Sequence, residues 1–493
     1  MAPDAPNQQI CRAGESQTQR RGIVKRTPIG AALVAAALVS ACGAGEYDIV
    51  IRGGRVMDPE SGLDAVMNVG IRDGRIEAIS EEPLSGGRMI DASGLVVAPG
   101  FIDLHEHGQT EEVYALMVMD GVTSAFELEV GTGDVAAWYA ERESAGGQIV
   151  NYGVSIGHIP VRMIVMDDPG DFLPSGAGGH GTASDAEVAD MARRIEEGLA
   201  QGAVAVGFGT AYTPAATMAE VEIMFRVAAE HDAAAHIHMR GGLRGLAETI
   251  ETAARASVAL HVVHANSSGG AQTTEFLDVI ARARETGQDV TTEAYPYGAG
   301  MTRIESALFD DWETWTDDQF NNYQWVETGE RLTRETFGGY RQVSGAIIIH
   351  SRTEEMTLAA IGNPLTMIAS DGFIENGRGH PRTSGTYSKV LGRYVREQGV
   401  VELMDALRRM SLEPARRLEA RVPSMGNKGR IRVGADADIT VFDPESVIDR
   451  STYMDATITS EGIEYVLVNG VPVVDGGELV EGARPGRAVR AGG

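Results

Sequence analysis

Between about residues 97 and 371 the chain repeats one pattern. A short, nearly continuous apolar run ends in Gly, His or Asp, and a polar stretch with apolar residues at helical spacing follows. The runs are "LVVAPGFIDLH", "GVTSAFELE", "IVNYGVSIGH", "AVAVGFG", "AAAHIHM", "ALHVVHA", "DVTTEAYPY" and "LTMIASDG". Helical stretches such as "SDAEVADMARRIEEGLAQG" and "TMAEVEIMFRVAAEHD" separate them. Strands this apolar are buried on both faces, as in a parallel sheet covered by its own crossover helices. Eight such units predict an α/β fold, a (β/α)8 TIM-like barrel over residues 97–426. In that architecture chemistry collects at the C-terminal ends of the strands, and the polar residues of this chain cluster there.

The flanks obey a different rule. Residues 47–96 and 427–485 alternate apolar and polar residues between Gly/Asp turns, which predicts a small β-sandwich domain built from both chain ends. Inside the barrel, residues 299–345 break the rhythm and hold Trp312, Trp315 and Trp325. A long insertion on the active-site side is expected to be either a lid or a packing subdomain.

Residues 1–41 read as a targeting segment. The basic "RRGIVKRT" precedes "PIGAALVAAALV", an apolar run too short to span a bilayer as a mature helix, and "LVSAC" follows. This resembles a bacterial lipoprotein signal peptide with its lipobox. The resemblance implies cleavage before Cys42, a lipid anchor on that cysteine and an exported, periplasm-facing protein. Gly43, rather than Asp, in the next position implies the outer membrane. The polar residues 1–23 are foreign to such a signal and point to a translation start at Val24. The formal net charge of −28 argues against nucleic acid and anionic membrane surfaces as partners held by charge. The other cysteine is Cys11, so nothing after Cys42 offers a thiolate.

The chemistry is written at the strand ends. His105 and His107 stand two apart in "PGFIDLHEHG", on one face of a strand end. His238 closes the fifth strand, His264 the sixth and Asp371 the eighth. One such histidine is ordinary core; four with an aspartate at one barrel mouth predict a divalent metal site, and imidazole with carboxylate suits Zn2+ or a similar first-row ion. His158 also ends a strand and is read as a supporting or substrate-facing residue. His236 and His261 are read as structural.

With these residues in place, the chain resembles the amidohydrolase superfamily, and within it the N-acyl-D-amino-acid deacylases (D-aminoacylases). The resemblance rests on "GVTS", "GHIPVR", "EEGLAQGAVAVGFGTAYTP", "HMR", "AYPYGAG", "SDGF", "GHPRTSGTYSKVLGRYVRE" and "PARRL…GRIRVGADADITVFDP", and runs from about residue 47 to 485. The chain departs from that pattern in the second strand. The family's metal-binding cysteine is replaced near Val130 by the neighbouring Glu129. The carboxylated lysine of other superfamily members has no counterpart, because no lysine lies between Cys42 and Lys389. The expected bridging ligand is therefore a carboxylate: Glu129, nearer the strand end, with Glu127 as the alternative.

The resemblance also implies roles for the remaining residues. Asp371 would be general base and acid. Arg382 of "GHPR" and Tyr212, Tyr295 and Tyr297 would bind substrate, and Asn266 stands where the family has a carboxylate-binding lysine. The implied reaction is hydrolysis of a linear amide in N-acyl-D-amino acids or related carboxylate-bearing peptides. The alternatives are a dipeptidase or carboxypeptidase, another amide or lactone hydrolase, and, in a different class, a periplasmic binding protein with an inactive barrel.

Overall fold

Eight parallel strands pair side by side in chain order in the computed structural model, which describes residues 46–492. They are Phe101–Asp103, Val122–Thr132, Asn151–Gly157, Val206–Gly209, Ala235–His238, Leu260–Val262, Val290–Ala294 and Thr366–Ile368. The first and eighth meet just beyond their C-terminal ends. The Asp371 amide donates to the His105 carbonyl and the His107 amide to the Gly372 carbonyl, both at 2.7 Å. The Asp103 carboxylate accepts from the Ser370 amide at 3.1 Å. These bonds nearly close the sheet into the expected barrel and bring the first and eighth strand ends side by side.

The helices form for local reasons as well as by packing. The helix Asp185–Ala200 starts at a Ser184–Glu187 capping box, which satisfies two orphan amides, and buries Met191, Ile195 and Leu199 along one face. Those residues join Val206, Phe208, Phe225, Leu260 and Phe276 in the apolar layer between strands and helices.

The two chain ends meet in one sheet of nine strands. The join is antiparallel, between Val96–Pro99 and Ile439–Phe442. Its inner face curls around one cluster that includes Ile51, Val69, Ile76, Ile439 and Leu467. Asp438 fastens this domain to the barrel. Its buried carboxylate lies 2.7 Å from Lys428 Nζ, accepts from Asn151 Nδ2 at 3.0 Å in the third barrel strand, and accepts from the Asn469 amide at 2.7 Å.

The insertion between the seventh and eighth barrel strands has its own three-stranded antiparallel sheet, Gly300–Arg303, Tyr323–Trp325 and Ala346–Ile349. It also has its own core, in which Ile304, Phe309, Phe320, Phe337 and Ile347 pack together. It is thus a packed subdomain, and the edge of its sheet turns toward the barrel mouth. Among the described residues no helix is long and apolar enough to cross a membrane. The signal-peptide reading of residues 1–41 and the lipidated Cys42 fall outside the described residues.

Replacing Lys428 by Met leaves the Asp438 carboxylate buried without its cation. Urea unfolding should show a loss on the order of 3 kcal/mol, the range for breaking one side of a buried ion pair.

Candidate active site

Two groups of ligand atoms face each other at the C-terminal ends of the barrel strands. One is His105, His107 and Asp371; the other is Glu129, His238 and His264; within each, the ligand atoms lie within 4.8 Å of one another. Glu129 spans both. Its Oε2 lies 2.7 Å from His105 Nε2 and 3.8 Å from His264 Nε2, and its Oε1 lies 3.1 Å from His238 Nδ1. His105 Nε2 and His107 Nε2 approach to 3.1 Å, and Asp371 Oδ1 sits 3.5 and 3.4 Å from them. Imidazole nitrogens crowded this closely, with carboxylate oxygens between them, form a donor set that fits divalent metal.

The second strand separates its two glutamates by a bulge. Between the pairs Glu127–Val154 and Thr132–Ile156 it uses more residues than its neighbour. Two glycines make the room. A Cβ on Gly157 would lie 1.8 Å from the Val130 carbonyl oxygen, and one on Gly207 would lie 2.3 Å from that of Glu129. Glu129 then points between the histidine groups. Glu127 turns toward the first strand, where its Oε2 lies 2.6 Å from His107 Nδ1 and its Oε1 accepts from the Val130 amide at 3.0 Å. Glu127 orients a histidine; Glu129 occupies the position between the two groups.

Glu293, at the end of the seventh strand, plays a similar orienting part and went unnoticed in the sequence. Its carboxylate lies 2.8 Å from His105 Nδ1 and 2.5 Å from His261 Nε2, and it accepts from the His264 amide at 2.9 Å. A carboxylate on the far nitrogen fixes the tautomer and turns the near nitrogen to the mouth. His236 stacks on His261 at 4.5 Å, below the site, as a structural residue. His264 and Asp371 both hold positive φ, 36° and 52°. Such backbone costs an L-residue about 1–3 kcal/mol and recurs at functional sites.

Charges in this dry mouth balance one another. Burial opposes ionisation of Asp371, yet Arg382, His105 and His107 outweigh it and hold the carboxyl at about 2. Glu129 is likewise held well below its usual range, against burial, by His238 and His105. Burial works against protonated His107, but Glu127 and Asp371 raise it to about 10. His105 is raised by Asp371, Glu293 and Glu129. Burial, with His238, pushes His264 down to about 3. A cation held here would displace the proton that His107 keeps below about 10.

Above these groups lies a cavity of about 220 Å³, lined among others by Tyr212, Tyr295, Arg352, Arg382, Phe172 and Phe373. Tyr212 packs edge-on to His238 at 4.7 Å. Arg382 lies over the Tyr295 ring, 4.5 Å from its centre, and its Nη1 sits 2.7 Å from Asp371 Oδ2. Two readings need correction. His158 is fully buried, its Nε2 is 2.8 Å from Glu220 Oε1, and it takes no part in the lining. Arg162 pairs with the same carboxylate, so the histidine belongs to a buried network behind the wall. Tyr297 also lies off the cavity, donating to Asp449 at 3.0 Å beneath Lys389. Asn266 donates to the Tyr295 carbonyl at 3.0 Å and steadies the seventh strand end. Arg352, which the sequence reading missed, enters from the end of the insertion, where no motif marks it.

Comparison with known proteins agrees with this fold. Models of the amidohydrolase family match residues 96–291 and 349–474. The N-acyl-D-glutamate deacylase of Alcaligenes xylosoxydans xylosoxydans is 31% identical, over 90% of this chain and 97% of its own. The crystal structure of N-acyl-D-glutamate deacylase from Bordetella bronchiseptica, complexed with zinc and a phosphonate inhibitor, superposes with a TM-score of 0.77. It is 28% identical and covers 90% of this chain and 100% of that one. A D-aminoacylase with a binuclear metal centre gives 0.75 at 25% identity, with the same coverage. A barrel, a sheet from both chain ends, a mouth of histidines and carboxylates and full-length similarity therefore lead to one assignment: the chain belongs to the amidohydrolase family, in the branch of the N-acyl-D-amino-acid deacylases.

Proposed function

We propose that this chain hydrolyses the amide bond of N-acyl-D-amino acids with one or two zinc ions held by His105, His107, Glu129, His238, His264 and Asp371. The observation that carries the reading is the position of Glu129 between the two histidine groups, where one carboxylate can serve both. A bound divalent ion supplies Lewis acidity toward the amide carbonyl and the attacking water. The protein's own part begins at Asp371. Its carboxylate is ionised and faces the His105 and His107 nitrogens, placed to take a proton from water as it attacks. The same oxygen then returns the proton to the leaving amine. Arg382 keeps the carboxylate ionised between turnovers and fixes its rotamer. Tyr212 and Tyr295 bound the space in which the acyl amino acid lies. Export and a lipid anchor on Cys42 complete the proposal, supported by the basic, apolar and small-residue segments before that cysteine.

Four measurements test it. Zinc-loaded protein lacking residues 1–42, screened against N-acyl-D-amino acids, N-acyl-L-amino acids and dipeptides, should turn over the D-series; turnover of the dipeptides alone would replace the reading with a dipeptidase. Asp371→Asn should lower kcat by roughly 1000-fold or more, a scale set by losing general acid and base at once, while retaining most of the metal. Glu129→Gln should lose at least one equivalent of bound metal by elemental analysis, whereas Glu127→Gln should cost roughly 10–100-fold in affinity, the usual effect of removing a histidine's supporting carboxylate. Metal affinity should rise with pH toward about 10, where His107 gives up its proton, and fall about tenfold per pH unit below that for each displaced proton.

A further inference from the structure

The cavity is lined by three guanidinium groups, and two are already neutralised. Arg382 is ion-paired with Asp371 at 2.7 Å, although its Nε and Nη1 make no hydrogen bond. Arg303 is paired with Glu305 at 3.0 Å and Glu375 at 3.4 Å. Among the described residues, Arg352 has no carboxylate within 4.0 Å of its nitrogens. Its Nη2 donates to Ser267 Oγ, while Nε and Nη1 are buried without a hydrogen-bond partner. Buried guanidinium N–H groups left unpaired are costly, and the site is built to hold them there. A Cβ on Gly300 would lie 2.8 Å from Nη1, so the guanidinium rests close against this glycine. The Arg352 amide donates to the Gly298 carbonyl at 3.1 Å, which anchors the residue's backbone against the barrel.

We infer that Arg352 receives the carboxylate of the substrate, and that this cavity selects N-acyl amino acids with one carboxylate and an apolar side chain. The inference rests on the deacylase reading above and refines its substrate class. A planar carboxylate offers the two acceptors that the free edge of a guanidinium matches. Ser267, which holds Arg352, lies in the short helix Ala265–Gly269 that follows the sixth strand, so the charge enters the cavity from that side. Among the described residues of the lining, a second substrate carboxylate would meet only arginines that already face carboxylates. The remaining wall is apolar: Phe172 and Phe373 stack at 6.2 Å, with Leu173, Met301 and Ile349 nearby in the lining.

The test compares zinc-loaded wild type with Arg352→Gln and Arg352→Lys on three substrates: N-acetyl-D-leucine, its carboxamide and N-acetyl-D-glutamate. Wild type should favour N-acetyl-D-leucine over both others by kcat/KM. Arg352→Gln should raise KM for N-acetyl-D-leucine roughly 100-fold, the scale of losing one partner of a buried charge pair, with kcat little changed. Its KM for the carboxamide should stay at the wild-type value, which also reports an intact fold, and Arg352→Lys should recover part of the loss. An unchanged KM for N-acetyl-D-leucine, an equal rise for acid and carboxamide, or a wild-type preference for N-acetyl-D-glutamate would overturn the inference while leaving the deacylase reading intact. Failure of wild type to hydrolyse any N-acyl-D-amino acid would overturn that reading, and this inference with it.

Discussion

Glu129 carries a negative charge at 2% exposure, in contact with His105 and His238 and facing His264. A carboxylate cannot be buried in that state without cations around it. Nor can His105 and His107 be raised as they are, against burial, without the carboxylates around them. Each half of the arrangement therefore requires the other. The bulge in the second strand, the glycines that admit it, and the positive φ of His264 and Asp371 all bring ligand atoms to this one carboxylate. The closure of the first strand on the eighth serves the same end, since it sets Asp371 beside His105.

Around that centre the protein layers charge outward. Glu127 and Glu293 back the histidines of the first strand, and Arg382 backs Asp371. Each pair fixes a rotamer and a protonation state before any ligand arrives, which is the preorganisation that a hydrolytic site needs. The insertion contributes differently. Its aromatic core holds a small sheet from which Met301, on the edge strand, and Ile349, at the end of the central strand, form the apolar side of the cavity, and Arg352 follows the last strand. The subdomain thus lines one side of the cavity, while the barrel supplies the clustered histidines and carboxylates.

The barrel was legible because its signals are local and repeated: each strand is a short apolar run, each run ends in a recognisable residue, and each helix carries its own period and caps. The histidines and Asp371 were legible for the same reason, since strand ends in such a barrel converge wherever they fall in sequence. Glu129 emerged by elimination from an absent cysteine and absent lysines. His158 and Tyr297 misled, because a residue at a strand end can turn either into the mouth or behind the wall. His158 turned toward Glu220 and Arg162, and Tyr297 toward Asp449 and Lys389. Those partners lie 62 and 152 residues away from them for Glu220 and Asp449, and no local pattern announces such pairings.

The sequence alone therefore determined the eightfold alternation, the shared β-domain of the two ends, the ligand types and the choice of a carboxylate in the second strand. The first three follow from period and spacing; the carboxylate follows from the family resemblance, whose cysteine and lysine this chain lacks at those positions. Folding in three dimensions settled which glutamate stands between the histidine groups and which supports one of them, because a bulge of a few residues rotates the strand in a way that alternation cannot foresee. It also decided which of the cavity's three arginines has no carboxylate beside it among the described residues. Arg303, Arg352 and Arg382 look alike as letters, and only the placement of Glu305, Glu375 and Asp371 around them distinguishes a neutralised cation from one still able to bind an anion.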